Sequence, residues 1–194
     1  EAFYTHVPGL KVIVPSTPAD AKGMLWEAID DPDPVLFLEP KKLYRLVSGP
    51  FPEGHHRVPI GRAAIRRIGQ DVTILAYGAM AHWSQEAAEQ LSDEGVDAEV
   101  IDLRSLRPLD WPTIDASVRK TGKVLIVHED NEFGGFGAEI AAQVADKTFE
   151  YQDGPVRRYA APEVPAFPFS ETLENMVMPN TEGIVQRALD LSRY

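Results

Sequence analysis

The stretch Lys123-Val-Leu-Ile-Val127, followed by His128-Glu-Asp130 and Gly134-Gly-Phe-Gly137, decides the fold class of this chain. Its apolar run is continuous, which is typical of a strand buried on both faces of a parallel sheet. The glycines stand where a tight turn is expected, and helical spacing continues from them through Val144. Together these residues predict a strand, a turn and a helix in that order.

The same alternation continues on both sides of this stretch. Strands are predicted at 72–76, 98–101 and 156–159, helices at 82–95, 113–119 and 182–192, and a loop at 104–109. Parallel strands are joined by crossovers, so strands that alternate with helices indicate parallel pairing. We therefore predict an α/β fold with a mostly parallel sheet for residues 58–194.

Two features of the deciding stretch could carry chemistry. Gly134-Gly-Phe-Gly137 could bind a phosphate at a helix start, but its spacing fits neither phosphate-loop motif, and a tight turn that allows close helix packing is favoured. His128 stands beside two carboxylates at the end of a strand, where ligand crevices form in open α/β sheets. An acid–base role is one interpretation. A structural role, or contact with a neighbouring subunit, is favoured over it.

The first 46 residues predict a separate strand, helix and strand. Lys11–Pro15 is a β-branched run, Pro18 begins a helix that ends in Asp30-Asp-Pro-Asp-Pro34, and Val35–Leu38 is a second buried strand. Glycine and proline are concentrated after Leu46, so we place a linker at 47–57 between this region and residues 58–194. His55 and His56 lie in that linker and are expected to be exposed to solvent.

Composition excludes several classes of protein. The 194 residues carry a net charge of −11 and no cysteine, so disulfides and thiolate metal sites are excluded. The acidic balance disfavours nucleic acid and anionic membranes as partners. No apolar run is long enough to span a bilayer and no signal peptide is seen, so a cytoplasmic or organelle-matrix location is expected.

Two features near the start could form sites. His6 precedes a Pro-Gly turn and a strand, so the chain starts abruptly beside a candidate site, and we expect a segment upstream that matters to function. The turn Ala28-Ile-Asp-Asp-Pro-Asp-Pro34 combines the free carbonyls of a helix end with acidic side chains, which suits a weakly held cation. From composition alone, a structural histidine and a plain helix stop are the favoured interpretations.

Longer motifs resemble a known family. Glu1-Ala-x-x-x-His6-x-Pro-Gly-Leu-Lys-Val, Ala28-Ile-x-Asp-x-Asp-Pro34 and Phe37-Leu-Glu-Pro-Lys-x-Leu-Tyr-Arg45 are similar to the beta subunit of thiamine-diphosphate-dependent 2-oxo acid dehydrogenases, and Val100-Ile-Asp-Leu-Arg104 extends the similarity. The resemblance implies that residues 1–46 are the tail of a pyrimidine-binding α/β domain. It implies a transketolase C-terminal-like domain at 58–194, in a subunit that lacks its N-terminal part.

The resemblance also assigns site residues. It implies that His6 is catalytic, donating to the substrate or the acyl intermediate and shuttling a proton during acyl transfer to lipoyl. It implies a monovalent cation, usually potassium, bound by backbone carbonyls at Ala28, Asp31 and Asp33, although many relatives carry Asn where this chain has Asp33. Thiamine diphosphate and Mg are implied to bind mostly to the missing half and to an alpha subunit, so no cofactor-binding residue is assigned here.

The implied partners are an alpha subunit, in an alpha2-beta2 heterotetramer, and the lipoyl acyltransferase core. The subunit-binding domain of that core is typically basic, which complements the net charge of −11, and we place its docking near Arg193 and Tyr194. The chain alone is expected to be inactive in oxidative decarboxylation of a 2-oxo acid. The sequence does not identify which 2-oxo acid is used.

Two alternatives stay open. One is another transketolase-like enzyme, such as a transketolase or a deoxyxylulose phosphate synthase, against which the His6 motif and the Ala28–Pro34 turn argue. The other is a noncatalytic assembly module that only binds partners.

Overall fold

A five-stranded, mostly parallel sheet is the centre of the computed structural model, which describes residues 1–194. The strands are β3 (Ala64–Arg67), β4 (Val72–Ala76), β5 (Ala98–Asp102), β7 (Val124–Asn131) and β8 (Arg157–Ala161). Their order in the sheet is β3-β5-β4-β7-β8, and every neighbouring pair is parallel except β3 with β5. The predicted α/β class with a mostly parallel sheet is confirmed. The antiparallel edge strand β3 was not predicted.

A second, three-stranded sheet contains the first part of the chain. It consists of β1 (Lys11–Ile13), β2 (Val35–Phe37) and β6 (Ser105–Arg107). β1 pairs in parallel with β2 and antiparallel with β6, with Val12 opposite Arg107. The prediction of a loop at 104–109 is therefore wrong at its centre, because β1 supplies a pairing partner from a distant part of the sequence.

Helices cover both sheets. They are α1 (Ala2–Thr5), α2 (Pro18–Asp30), α3 (Leu43–Leu46), α4 (Ala79–Asp93), α5 (Trp111–Thr121), α6 (Phe136–Lys147), α7 (Glu171–Val177) and α8 (Thr181–Ser192), with a short 3-10 turn at Phe149–Tyr151. α2 begins as predicted, since the Thr17 side chain accepts a hydrogen bond from the Asp20 amide and Pro18 takes the first turn. No helix is long and apolar enough to cross a membrane.

The core is divided between the two faces of the large sheet. Eighteen buried residues on one face lie between the sheet and helices α4 and α8. Fourteen on the other face join α5 and α6 to the sheet and include Val12 and Val14 of the first region. A third cluster, Ile13, Met24 and Val58, has only three members. The first region is thus anchored in the core of the second.

The predicted linker at 47–57 contains no helix or strand, yet it lies along α2. Arg57 pairs with Glu27 at 3.3 Å, and the His55 ring lies 4.7 Å from that of Trp26. His55 is exposed as expected, whereas His56 is half-buried, which corrects the prediction for that residue. The reason is Gly23, which lets residues 56–58 approach the helix: a Cβ there would lie 3.0 Å from the His56 ring.

Candidate functional site

One candidate site is a cleft of about 590 Å³ between the two regions. This volume lies within the range of about 300–1,000 Å³ that is common for small-molecule sites. One wall comes from the segment before β1 and the other from the end of β6, from α5 and from the start of α6. The lining includes Ala2, Thr5, His6, Arg107, Trp111, Gly135, Phe136 and Glu139.

His6 lines this cleft and is exposed. It caps the C-terminal end of α1, and its Nδ1 lies 3.3 Å from the carbonyl oxygen of Ala2. A carbonyl can only accept, so this contact favours the tautomer with the proton on Nδ1. Nε2 then has a free lone pair. The geometry therefore leaves one ring nitrogen able to take or return a proton in the cleft.

His128 is fully buried, and it lines none of the larger clefts. Burial lowers its pKa to about 4, so the ring is neutral at neutral pH. The ring stacks with that of Tyr77 at 6.1 Å. This position favours the structural role over both acid–base chemistry and contact with a neighbouring subunit.

The glycines at 135 and 137 allow the turn and the start of α6 to pack directly against the His128 ring. A Cβ at Gly137 would lie 2.3 Å from His128 Nε2, and one at Gly135 would lie 2.2 Å from the Asn131 carbonyl oxygen. The prediction of a tight turn that allows close helix packing is confirmed. The imidazole occupies the space beside Gly135 and Gly137.

A group of carboxylates at the end of β7 was not predicted. Glu129 and Asp130 line a smaller cleft together with Glu1 and Glu174, and the Tyr77 hydroxyl donates to Glu1. Burial raises the pKa of both Glu1 and Glu129. These residues come from separate parts of the chain, so no local motif could have indicated the group.

The acidic turn after α2 is organised by a lysine. Lys11 Nζ lies 2.7 Å from both carboxylate oxygens of Asp31 and 3.1 Å from Asp33, and the Asp33 amide donates to Asp31 at 2.9 Å. The hydrogen bond from Lys11 lowers the pKa of Asp31. Both carboxylate oxygens of Asp31 are engaged by Lys11, so Asp31, like Ala28 near the helix end, would offer a cation its main-chain oxygen.

The fit of the chain to Mg and a diphosphate is poor. No three His, Asp or Glu side chains are grouped so as to hold a metal ion. In the glycine turn, the imidazole of His128 occupies the space beside Gly135 and Gly137. The residues of this chain therefore do not by themselves form a site for Mg and the diphosphate.

Comparison with known proteins gives two domain matches. The family model "Transketolase, C-terminal domain" matches residues 61–184, and "Transketolase, pyrimidine binding domain" matches residues 1–47. A solved structure described as "Split gene transketolase, inactive beta4 tetramer" superposes with a TM-score of 0.79 at 29% identity, covering 99% of this chain and 61% of that one.

Curated relatives are beta subunits of dehydrogenases. The chain is 41% identical over its full length to 2-oxoisovalerate dehydrogenase subunit beta of Bacillus subtilis, and 48% identical over 96% of its length to pyruvate dehydrogenase E1 component subunit beta-2, mitochondrial, of Oryza sativa. It is 46% identical to the beta subunit of acetoin:2,6-dichlorophenolindophenol oxidoreductase of Bacillus subtilis over 97% of its length.

The chain spans 59%, 50% and 55% of the lengths of these three relatives. The resemblance to beta subunits of 2-oxo acid dehydrogenases is confirmed by the identities, and the fold class by the domain matches and the superposition. Since one family model covers more than half of its residues, the chain belongs to the transketolase C-terminal domain family.

Proposed function

We propose that this chain is part of the beta subunit of a thiamine-diphosphate-dependent 2-oxo acid dehydrogenase. The subunit works with an alpha subunit, in an alpha2-beta2 heterotetramer, to decarboxylate a 2-oxo acid and pass the acyl group to lipoyl. The observation that carries the proposal is identity of 41–48% along almost the whole chain to beta subunits named for pyruvate and 2-oxoisovalerate. The cofactor and Mg are bound by the alpha subunit and by parts of the beta subunit outside this chain.

Reconstitution tests this function. The full-length beta subunit is mixed with its alpha subunit, thiamine diphosphate and Mg²⁺, and 2-oxo acid-dependent reduction of an artificial electron acceptor is measured. We expect turnover of pyruvate or of a branched-chain 2-oxo acid, and none from residues 1–194 alone. Failure of every 2-oxo acid tested would contradict the function, and turnover by residues 1–194 alone would contradict the dependence on other parts.

A second candidate substrate is acetoin. It is favoured by the 46% identity to a beta subunit named for acetoin oxidation. The same reconstituted enzyme, supplied with acetoin in place of a 2-oxo acid, separates the two. Turnover of acetoin alone would move the proposal to that substrate.

Within this function, we assign proton transfer during acyl transfer to His6. Support comes from its place in the cleft and from the free Nε2. General acid–base groups typically contribute ~10²–10⁴-fold to rate, so His6→Ala in the full heterotetramer should lower the rate of acyl transfer to lipoyl by about that range. His55→Ala, an exposed histidine on the linker, is the matched control. Equal rates for the two variants would refute the assignment.

A potassium ion at the carbonyls of Ala28, Asp31 and Asp33 is the second assignment. Support comes from the helix end, whose last carbonyls lack intrahelical partners, and from the carboxylates held by Lys11. We expect KCl to raise the Tm of the intact subunit above that in choline chloride at equal ionic strength. Asp31→Ala should reduce the difference, because the carboxylate that holds Lys11 and the Asp33 amide, and with them the shape of the turn, is lost. Asp93→Ala, at the exposed end of α4, should retain the difference. Equal Tm values in the two salts would rule the site out.

Docking of the lipoyl acyltransferase core near Arg193 and Tyr194 is the third assignment. Support comes from exposure of both side chains and from the carbonyl of Ser192, which Lys123 holds at 2.9 Å so that the end of α8 is fixed. Deletion of the last two residues should weaken capture of the acyltransferase by the heterotetramer. Unchanged capture would place docking elsewhere.

A further inference from the structure

A group of buried charges joins the two regions at the start of α2. Asp20 comes from the first region, whereas Arg66 of β3, Asp102 of β5 and Arg104 come from the second. All four are largely buried, with 6%, 20%, 0% and 11% of their side chains exposed. Two positive and two negative charges therefore balance at the boundary between the two regions, which we call the seam.

Arg66 bridges the regions directly. Its Nη2 lies 2.6 Å from the Asp102 carboxylate, pairs with Asp20 and donates to Ser16 Oγ at 3.2 Å. Ser16 in turn donates to Asp102. One guanidinium thus contacts carboxylates on both sides of the seam.

Arg104 forms a second bridge. Its Nη1 lies 2.7 Å from Asp20 Oδ1, and its Nη2 donates to the Ala63 carbonyl at 2.8 Å. The backbone of Arg104 is left-handed, with φ of 54°. Arg104 is the one non-glycine residue with a positive φ. A bulky residue adopts this conformation only when its surroundings hold it there. It stands where the chain leaves β5 of the large sheet and enters β6 of the small one.

Burial and the neighbouring arginines shift the pKa values of the two carboxylates. Burial acts to raise the pKa of Asp20, but the Thr17 hydroxyl and the two guanidinium groups outweigh it and lower the pKa. Burial raises the pKa of Asp102 against the opposing effect of Arg66. A buried ion pair adds little net stability, but loss of one partner is costly because the other charge is left without solvent. These pairs need partners from both regions, so their geometry is met only when Asp20 lies beside the two arginines.

Other contacts also cross the boundary between the regions: Val12 and Val14 pack in the cluster of fourteen, and the His82 ring lies 2.7 Å from the Ser16 carbonyl oxygen. β1 and β6 pair at only two positions, and the register shifts between them. The cleft has Ala2, Thr5 and His6 on one wall and residues of β6, α5 and α6 on the other, so its width depends on how the regions are oriented.

We propose that Arg66 and Arg104 are positioning residues, which hold α2 against the large sheet and thereby fix the distance between His6 and α6 across the cleft. Their catalytic consequence rests on the function proposed above. Their geometric consequence does not, so it is tested on the chain itself.

The absence of cysteine makes a distance measurement direct. Phe3→Cys and Ala142→Cys place spin labels on exposed positions of α1 and α6, on the two sides of the cleft. Pulsed electron resonance then gives the distance distribution between the labels. The variants are Arg66→Met and Arg104→Met, singly and together. The matched control is Arg67→Met, which breaks a 2.8 Å pair with Asp97 that lies wholly within the second region.

We expect the distribution to broaden or shift in the Arg66 and Arg104 variants and to stay unchanged in Arg67→Met. If the methionine variants do not fold, Asp20→Asn decides, since it keeps the shape of the side chain and removes the charge that both arginines share. An unchanged distribution in the folded variants, or an equal change in Arg67→Met, would overturn the proposal. Activity of the reconstituted heterotetramer does not enter this test, so its loss would bear on the proposed function alone.

Discussion

The two regions of the molecule are built in different ways. The five-stranded region contains almost all of the two large clusters of buried residues. The third cluster has only three members, of which the first 46 residues supply two and Val58 of the second region the third. The first region obtains its third strand, much of its apolar contact and its ion pairs from the second. The difference shows that a sheet of three short strands persists here because a larger neighbour completes it.

The largest expected effect concerns burial in the two regions. Ile13 and Ile126 are both fully buried, but Ile126 belongs to the cluster of fourteen and Ile13 to the cluster of three. Replacement of a buried isoleucine by alanine costs about 2–5 kcal/mol, and more where the surroundings cannot collapse. We expect Ile126→Ala to lower the free energy of unfolding in urea more than Ile13→Ala does. A larger loss for Ile13→Ala would contradict the comparison.

Acid should destabilise the large region through His128. Its pKa is about 4 in the folded state and 6.5 in the reference state, so the unfolded chain binds a proton first as pH falls. The contribution of His128 to the free energy of unfolding is fully present above pH 6.5. It is lost progressively between pH 6.5 and 4, by up to about 3 kcal/mol. The nearby charges act in both directions, since Asp130 raises the pKa and Arg158 lowers it.

The measurement is the difference in urea unfolding free energy between the wild type and His128→Gln, taken at several pH values from 7 to 4. This difference removes the contribution of the carboxylates. We expect the wild type to lose more stability than the variant over this interval. Parallel curves would show that the ring is not protonated on unfolding.

A smaller effect is expected at the glycine turn. A Cβ at Gly137 would overlap His128 Nε2, and overpacking of a core typically costs ~1–3 kcal/mol. Gly137→Ala should therefore lower the Tm, and the double variant with His128→Ala should recover part of the loss. If the two changes are additive in thermal unfolding, the ring does not account for the glycine.

The fold of the large region could be predicted well because its signals are local. Val124–Val127 is a continuous apolar run, and Val72–Ala76 is interrupted only by Thr73. Such runs are typical of strands in the middle of a parallel sheet, and they are visible from neighbouring residues alone. The helix at Pro18 was equally clear, since its cap and its first proline are adjacent in sequence. Strands β3 and β6 were missed because both are paired across long sequence separations and neither is a continuous apolar run.

The candidate site divides in the same way. His6 and the acidic turn at Ala28–Pro34 were found from motifs, and the roles given to them stay predictions. The Lys11 contacts with Asp31 and Asp33 and the two arginine bridges were not foreseen. They join residues that are 20 or more positions apart, and no local pattern records such a contact.

The sequence by itself determined the α/β class, the order of the main elements and the resemblance to the transketolase family, because periodicity, capping and motif spacing are properties of neighbouring residues. Only the tertiary structure decided that Arg104 adopts a left-handed backbone and that β6 pairs in the small sheet, although the strands next to it in sequence belong to the large one. It also decided that the cleft beside His6 lies between the two regions. The physical reason is that buried charges and short strands are stabilised by partners that folding supplies from elsewhere in the chain.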